Sequence, residues 1–263
     1  MILDLDIKKY VEGAKKVLKQ RLENLPQPQL AIIQVGENPA SERYIRNKRK
    51  DCAEIGIVAH HYWFPSTITT SELIFEINEI QPFYNGIIVQ QPLPTHIDQE
   101  AIDNAIDPAK DVDGFHPMSA FKPATAMGIM NYLNDTGFNL DGRNVVIIGR
   151  SNIVGKPLAK LMINANATVT LCHSHTPENK LYDYLRSADL VVTAVGKPHW
   201  LDCDRFAAPV IDVGINFIDG KMCGDCTHTE GRNITPVPGG VGLLTRLALL
   251  DNVVKATEVQ NAN

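Results

Sequence analysis

Six apolar runs of strand length recur along the chain: LAIIQV (30–35), GIIVQ (86–90), NVVIIG (144–149), ATVTLC (167–172), ADLVVTAV (188–195) and PVIDVG (209–214). Helix-length segments separate most of them, and that alternation predicts an α/β fold of parallel sheets with helices on both faces. Residues 5–22 place Leu5, Tyr10, Val11, Ala14, Val17, Leu18 and Leu22 at roughly helical spacing. Asn38-Pro39 reads as a cap and first-turn proline for a helix over 39–55, with Gly56 as its stop. Ligands of such sheets bind outside the carboxyl ends of the strands. Those ends carry Gly-Glu-Asn-Pro, Gln-Gln-Pro-Leu-Pro, Gly-Arg-Ser, His-Ser-His, Gly-Lys-Pro and Gly-Ile-Asn in chain order, all small, polar or turn-forming.

With 263 residues, 44% hydrophobic and 21% charged, the chain has room for two modest cores. A formal charge of −5 supplies no basic field for a nucleic-acid backbone, so no nucleic-acid partner is expected. The start, MILDLDIKKYVEGAKK, mixes acids and lysines into its apolar residues and so lacks a signal-peptide core or a membrane run. A cytoplasmic protein with no membrane partner is the expectation. The cysteines at 52, 172, 203, 223 and 226 are an odd count, for which reduced thiols are the default. Cys223-Gly-Asp-Cys226 followed by His228 resembles half of a metal site, but no second pair with ligand spacing accompanies it, and no metal is expected.

The segment 145–162, VVIIGRSNIVGKPLAKLM, reads as strand, tight turn and helix, with Gly149, Ser151 and Gly155 near the turn. A glycine-bearing turn that feeds a helix N-terminus offers backbone N–H groups and positive dipole to a diphosphate. Ser151 and Val154 stand where GxGxxG has glycines, and an ordinary βα turn has the same look. The next strand ends about 23 residues on, where NAD-binding folds usually place an acid against the ribose. Here the residues are Cys172-His173-Ser174-His175. Arg150 and Ser174 are suited to grip a phosphate instead, which favours NADP over NAD. A solvated Arg150 and plain loop histidines fit these residues equally well.

In ASERYIRNKRKDCAEIG (40–56), Tyr44 and Lys48 project from one helix face beneath the first strand's carboxyl end, with Ser41 nearly aligned. Lys48 sits among Arg43, Arg46, Arg49 and Lys50, so a solvated basic face is the simpler reading of that segment alone. Gln90 closes an apolar strand before Gln91-Pro92-Leu93-Pro94, whose prolines stiffen the exit. Asp111-Val-Asp113-Gly-Phe115 is a short acidic turn, equally readable as a cap. Pro236-Val-Pro238-Gly239-Gly240-Val-Gly242 precedes the last helix, a stiff backbone that suits close approach to a flat ligand or a plain domain crossing.

Together and in order, six elements resemble the bifunctional methylenetetrahydrofolate dehydrogenase/cyclohydrolase family over nearly the whole chain. They are Ser41-xx-Tyr44-xxx-Lys48, Val89-Gln-Gln-Pro-Leu-Pro94, Lys110-Asp-Val-Asp-Gly-Phe115, Gly149-Arg-Ser-xx-Val-Gly-Lys-Pro157, Asp212-Val-Gly-Ile-Asn216 and Pro236-Val-Pro-Gly-Gly-Val-Gly242. The resemblance implies a folate-binding catalytic α/β domain over 1–120 and a Rossmann-like NADP-binding domain over 121–242, with a cleft between them. It implies that the C-terminal helix, 243–263, packs back on the first domain, and that the protein is a homodimer. It implies oxidation of 5,10-methylenetetrahydrofolate with NADP and hydrolysis of the methenyl product to 10-formyltetrahydrofolate.

Residue by residue, the resemblance makes Lys48 the catalytic lysine, Gln90 the glutamine that positions it and Asp113 the carboxylate that reads the pterin. Tyr44 packs on the folate ring, with Ser41, Pro238, Gly239 and Gly240 also on the substrate side. Gly149, Arg150 and Ser151 form the phosphate turn, Ser174 lies on the adenosine side and Ile215 near the nicotinamide. The chemistry suits these residue types. Hydride loss from the methylene carbon leaves a cation stabilised by two nitrogens, so that step needs alignment more than a base. Hydrolysis needs protons moved at the same carbon, work for a partly buried lysine facing a cationic substrate. An amide at Gln90 holds an amine without neutralising it, whereas a carboxylate would keep it charged.

Four departures stand out. The family usually carries about eight to ten more residues after the Asp-Gly-Phe turn, a loss that can alter a functional loop. Pro123-Ala124-Thr125-Ala126 replaces the usual Pro-Cys-Thr-Pro, and Leu243-Leu244 replaces Pro-Met. Cys226 follows Gly224-Asp225 where an apolar residue is usual. Two alternatives are a dehydrogenase that kept only the redox step and a non-catalytic NADP-binding protein; Lys48 with Gln90 argues for both activities, and intact Tyr44, Lys48, Gln90 and Asp113 argue against the non-catalytic protein.

Overall fold

The computed structural model describes residues 3–227 and 230–262. The chain divides into two compact units, one of residues 1–11 with 125–245 and one of 12–124 with 246–263. All six apolar runs form strands, as β1 (Gln29–Val35), β3 (Gly86–Val89), β4 (Asn144–Ile148), β5 (Thr168–Cys172), β6 (Leu190–Thr193) and β7 (Val210–Asp212).

In the unit of 12–124, β1 pairs in parallel with β3 and with β2 (Val58–Phe64), giving the order β2-β1-β3. The sequence VAHHYWF of β2 carries no continuous apolar run because this edge strand mixes half-buried and exposed positions, which hid it from the apolar pattern. Ala31, Ile33 and Val35 of one sheet face pack with Leu73, Ile77 and Ile80 of α3 (Thr70–Ile80) and Ile102 of α4 (Gln99–Ala105). On α2 (Pro39–Ile55) the cap is as the sequence suggests: the Ser41 N–H donates to Asn38 Oδ1 at 3.2 Å, and Gly56 stops the helix at φ +99. Such a positive φ is open to glycine at little cost. The later turns of α8 (Val241–Asn261) are tied to this unit. Arg21, at the end of α1 (Ile7–Arg21), forks onto Glu258 at 2.9 and 2.7 Å, and Asn252 Nδ2 donates to the Val112 carbonyl at 2.8 Å.

In the unit of 125–245 the four parallel strands run β5-β4-β6-β7. One face packs Val145, Ile147 and Val192 against Ile129 and Leu133 of α5 (Ala124–Asp135) and Leu158 and Met162 of α6 (Gly155–Asn164). The other packs Val146, Ile148 and Val191 against Leu181 and Leu185 of α7 (Glu178–Arg186). Apolar residues on both faces are what two helix layers require. The chain leaves β4 toward β5 on one side and then returns to β6 on the other, so the sheet's switch point lies at the carboxyl ends of β4 and β6. A small hairpin, β8 (Asn216–Ile218) and β9 (Lys221–Cys223), turns at Asp219-Gly220, both at positive φ. Among the described residues no helix is long and apolar enough to cross a membrane.

Candidate active site

Ser41, Tyr44 and Lys48 share one face of α2, and burial now separates Lys48 from its basic neighbours. Lys48 is 8% exposed, whereas Arg43, Arg46, Arg49 and Lys50 are exposed. Its ammonium makes no hydrogen bond or ion pair with any described residue. One turn later stands Asp51, 7% exposed, yet its oxygens are already engaged by Lys15 Nζ at 2.7 Å and Arg246 Nε at 2.5 Å. A nearly buried ammonium without a hydrogen-bond or ion-pair partner is costly, and such groups concentrate at functional sites.

The end of β3 meets this face. Gln90 Nε2 donates to the Gln91 carbonyl at 2.7 Å and Ser41 Oγ donates to the same oxygen at 3.3 Å. Gln90 Oε1 is buried without a partner, an acceptor left open for an incoming donor. The Gln91-Pro92 peptide is cis. Asp113 is held by the turn that Asp111 organises: the Asp111 carboxylate, 1% exposed, accepts from the Gly114 N–H at 3.1 Å and the His116 N–H at 2.8 Å. Gly114 has φ +77, and a Cβ there would lie 2.5 Å from the Lys122 carbonyl carbon, so the turn tolerates only glycine. Burial pushes the Asp113 carboxyl above its ordinary range, the Lys48 charge opposes this, and Asp111 adds to it. Burial likewise raises the Tyr44 phenol, against the Arg246 charge. Ser41, Tyr44, Lys48, Gln90 and Asp113 thus belong to one unit, while Pro238, Gly239 and Gly240 belong to the other.

At the carboxyl end of β4, Gly149 takes φ +121 with its α-carbon turned toward the chain after β6: a Cβ there would lie 2.3 Å from the Ala194 carbonyl oxygen. A Cβ on Gly155 would lie 1.9 Å from the Gly149 carbonyl oxygen. This backbone cradle opens on the N-terminus of α6. Ser151 Oγ accepts from the Val154 N–H at 3.1 Å and so closes the turn that leads into α6. Arg150 is exposed. Beside β5 lies a cavity of about 340 Å³, lined in part by Ile148, Cys172, His173, Ser174, Tyr182 and Trp200. Glycines that only lack of a side chain admits, a helix N-terminus and an adjoining cavity fit a dinucleotide. The cavity also reaches Glu178, which the sequence pattern did not bring to this place; Arg205 pairs with it at 3.0 Å and stacks on the Tyr182 ring at 3.3 Å. Ile215 is 40% exposed on the chain between β7 and β8. In the Pro236–Gly240 turn, a Cβ on Gly240 would lie 2.3 Å from the Pro236 carbonyl oxygen and Gly239 has φ +105.

Cys226 is fully buried and Cys223 half-buried, while His228, the third member of the suspected half site, lies outside the described residues. Among the described residues no group of three or more His, Cys, Asp or Glu is placed to hold a metal ion.

Residues 5–113 match the tetrahydrofolate dehydrogenase/cyclohydrolase catalytic domain, and residues 123–261 match the NAD(P)-binding domain of the same family. The chain is 41% identical to the bifunctional protein FolD of Halalkalibacterium halodurans, over 97% of this chain and 98% of the relative. Among solved structures, it is similar to the bifunctional enzyme FolD, methylenetetrahydrofolate dehydrogenase/cyclohydrolase, of Campylobacter jejuni, with a TM-score of 0.92, 40% identity and coverage of 97% and 98%. It is also similar to the Trypanosoma brucei dehydrogenase-cyclohydrolase solved with NADP cofactor and an inhibitor, with a TM-score of 0.90, 32% identity and coverage of 99% and 98%.

Proposed function

The chain belongs to the tetrahydrofolate dehydrogenase/cyclohydrolase family, and on that premise we propose that Lys48, Gln90 and Asp113 carry its hydrolytic chemistry while Gly149, Arg150, Ser151 and Ser174 hold NADP. The protein is a bifunctional enzyme: it oxidises 5,10-methylenetetrahydrofolate with NADP and hydrolyses 5,10-methenyltetrahydrofolate to 10-formyltetrahydrofolate. The observation that carries the site assignment is Lys48, nearly buried and unpaired on a face shared with Ser41 and Tyr44.

When bound, NADP supplies the acceptor for hydride from the methylene bridge. The chain's own part in that step is orientation. Tyr44 offers a ring face to the folate, Asp113 accepts from the amino-pyrimidinone edge, and the Pro238-Gly239-Gly240 backbone contributes on the substrate side. Arg150 and Ser174 would take the 2′-phosphate, and Ile215 would serve the nicotinamide side.

In hydrolysis, water attacks the methenyl carbon, and the Lys48 amine takes the proton that water loses. N5 then receives a proton passed back by Lys48, its bond to that carbon breaks, and the carbinol hydroxyl gives up its own proton to solvent as the formyl C=O forms on N10. Methenyl cation plus water thus gives 10-formyl product plus one proton. In this proposal the open Gln90 Oε1, buried without a partner, is the acceptor that would orient the Lys48 amine without neutralising it, because an amide carries no charge. The Asp51 carboxylate, which would favour the charged form of a neighbouring lysine, is occupied by Lys15 and Arg246.

We assign the folate domain to 1–120 with 243–263 and the NADP domain to 121–242; the compact units support these bounds to within a few residues, except that residues 1–11 cluster with the second. A homodimer in the cytoplasm completes the proposal. It is supported by the exposed edge strand β2, which presents Trp63 at 51% exposure, and by the five free cysteines, as expected in a reducing compartment. The test is to assay the purified protein with 5,10-methylenetetrahydrofolate and either NADP or NAD, then with the methenyl compound alone, and to measure its mass by sedimentation. Turnover in both steps with preference for NADP is expected; absence of either step refutes the assignment.

A further inference from the structure

Asp225 is fully buried between β9 and the small bridge at Cys226, and five donors converge on its carboxylate. Oδ2 accepts from the Val195 N–H at 2.6 Å, the Gly196 N–H at 3.2 Å and the Thr193 hydroxyl at 3.2 Å. Oδ1 accepts from the Lys197 N–H and from Asn216 Nδ2, both at 2.9 Å. Three successive backbone amides after β6 are therefore gathered by one side chain. Asp212, at the end of β7, holds Asp225 in turn: its carboxylate accepts from the backbone N–H groups of Asp225 at 3.0 Å, Cys226 at 2.9 Å and Gly214 at 2.9 Å. The fit admits no extra atoms. A Cβ on Gly214 would lie 2.2 Å from Asp225 Oδ1, and one on Gly224 would lie 2.0 Å from Asp212 Oδ2.

The location of this network gives it a role beyond filling the core. It sits at the carboxyl ends of β6 and β7, and the segment it gathers lies against the phosphate turn. The Ala194 N–H donates to the Ile148 carbonyl at 2.8 Å, and the Ala194 carbonyl is the atom that forbids a side chain on Gly149. Asn216, the fifth donor, follows Ile215 directly. One carboxylate thus joins the wall of the switch-point crevice after β6 to the chain that bears Ile215. A buried charge is retained against a large desolvation cost only when its hydrogen bonds are complete, and this one is oriented toward the place where parallel sheets bind ligands.

We propose that Asp225 is a positioning residue for the oxidative step: it fixes residues 195–197 and Asn216 as one wall of the NADP site without touching the cofactor. The inference rests on the reading of this unit as the NADP-binding one. An amide in its place puts an NH₂ group against at least two converging donors whichever way it turns, so Asp225→Asn releases the segment. Thr193→Val removes a single donor and keeps the shape.

The experiment titrates NADP into the wild type, Asp225→Asn and Thr193→Val by calorimetry, and follows hydrolysis of the methenyl substrate and amide exchange at 195–197 in the same proteins. The expected result for Asp225→Asn is a Kd for NADP raised about tenfold or more, faster exchange at 195–197, and hydrolysis within about twofold of wild type. Thr193→Val, which decides the matter if Asp225→Asn does not fold, is expected to raise Kd about threefold with hydrolysis unchanged. NADP binding equal to wild type in Thr193→Val and in folded Asp225→Asn overturns the inference, as does a parallel fall of both activities. A wild type that binds no NADP refutes the cofactor reading itself.

Discussion

The Arg246 guanidinium meets the Asp51 carboxylate at 2.5 Å, one turn of α2 beyond Lys48. With Lys15 on the other oxygen, the pair occupies the one buried acid on this helix and leaves Lys48 without an ion-pair partner on it. Arg246→Met leaves Asp51 half-paired in a buried setting, for an expected loss of about 2 kcal/mol. Because the freed oxygen then comes within reach of Lys48, hydrolysis falls as well. In urea unfolding, the double variant with Asp51→Asn recovers part of the loss, with a coupling of about 1–3 kcal/mol. Strictly additive effects would show that the pair does not act as a unit.

Arg150 is exposed beside the β4 turn, so its removal costs the fold nothing. Arg150→Ala weakens NADP about tenfold, the value of a charge-assisted contact to phosphate, and leaves NAD binding and Tm unchanged. Equal losses with both dinucleotides would remove this residue from the 2′-phosphate.

Asp103 offers a pH test. Burial pushes its carboxyl from 3.8 up to about 6, against the hydrogen bond from Gln99 Nε2 at 2.6 Å, with Asp111 and Asp113 adding to the rise. A carboxyl raised in the fold stabilises the protein below its unfolded value, and that contribution is lost as pH rises from about 4 through about 6. Asp103→Asn, which keeps the shape, is therefore more stable than wild type by about 1 kcal/mol at about pH 8 after allowance for screening. The gain vanishes below about pH 4. Denaturant melts at both pH values measure it, and a gain that persists in acid would contradict the cause given.

Cys52, Cys172, Cys203 and Cys226 are buried, and Cys223 is only half-buried. Burial, followed by the Asp51 charge, pushes the Cys52 thiol up to about 12. A thiol reagent is expected to label Cys223 rapidly in the native protein and the other four only after unfolding. Fast labelling of Cys52 would contradict the packing of α2 against its sheet.

Strands β3, β4 and β6 were legible because strands buried on both faces read as unbroken apolar runs, and α2 because Asn38, Pro39 and Gly56 mark its ends. Strand β2 was not, since an edge strand with His60 and His61 on it lacks that run. Lys48 was visible as a candidate but not separable from Arg43, Arg46, Arg49 and Lys50; only burial, a property of the folded chain, distinguishes it. The resemblance to a known family supplied its role. Asp51 with Arg246, Glu178 with Arg205, and Asp225 with Thr193 left no local signal, because the partners are far apart in sequence and meet only through the sheet order.

The most direct test of the account is the fate of substrate on Lys48→Met. The variant replaces an unpaired, nearly buried ammonium by an apolar side chain of similar length, so its Tm is expected to equal or exceed that of wild type. With 5,10-methylenetetrahydrofolate and NADP it is expected to accumulate the methenyl compound, while hydrolysis falls about a thousandfold. Release of 10-formyltetrahydrofolate at the wild-type rate would contradict the assignment of Lys48.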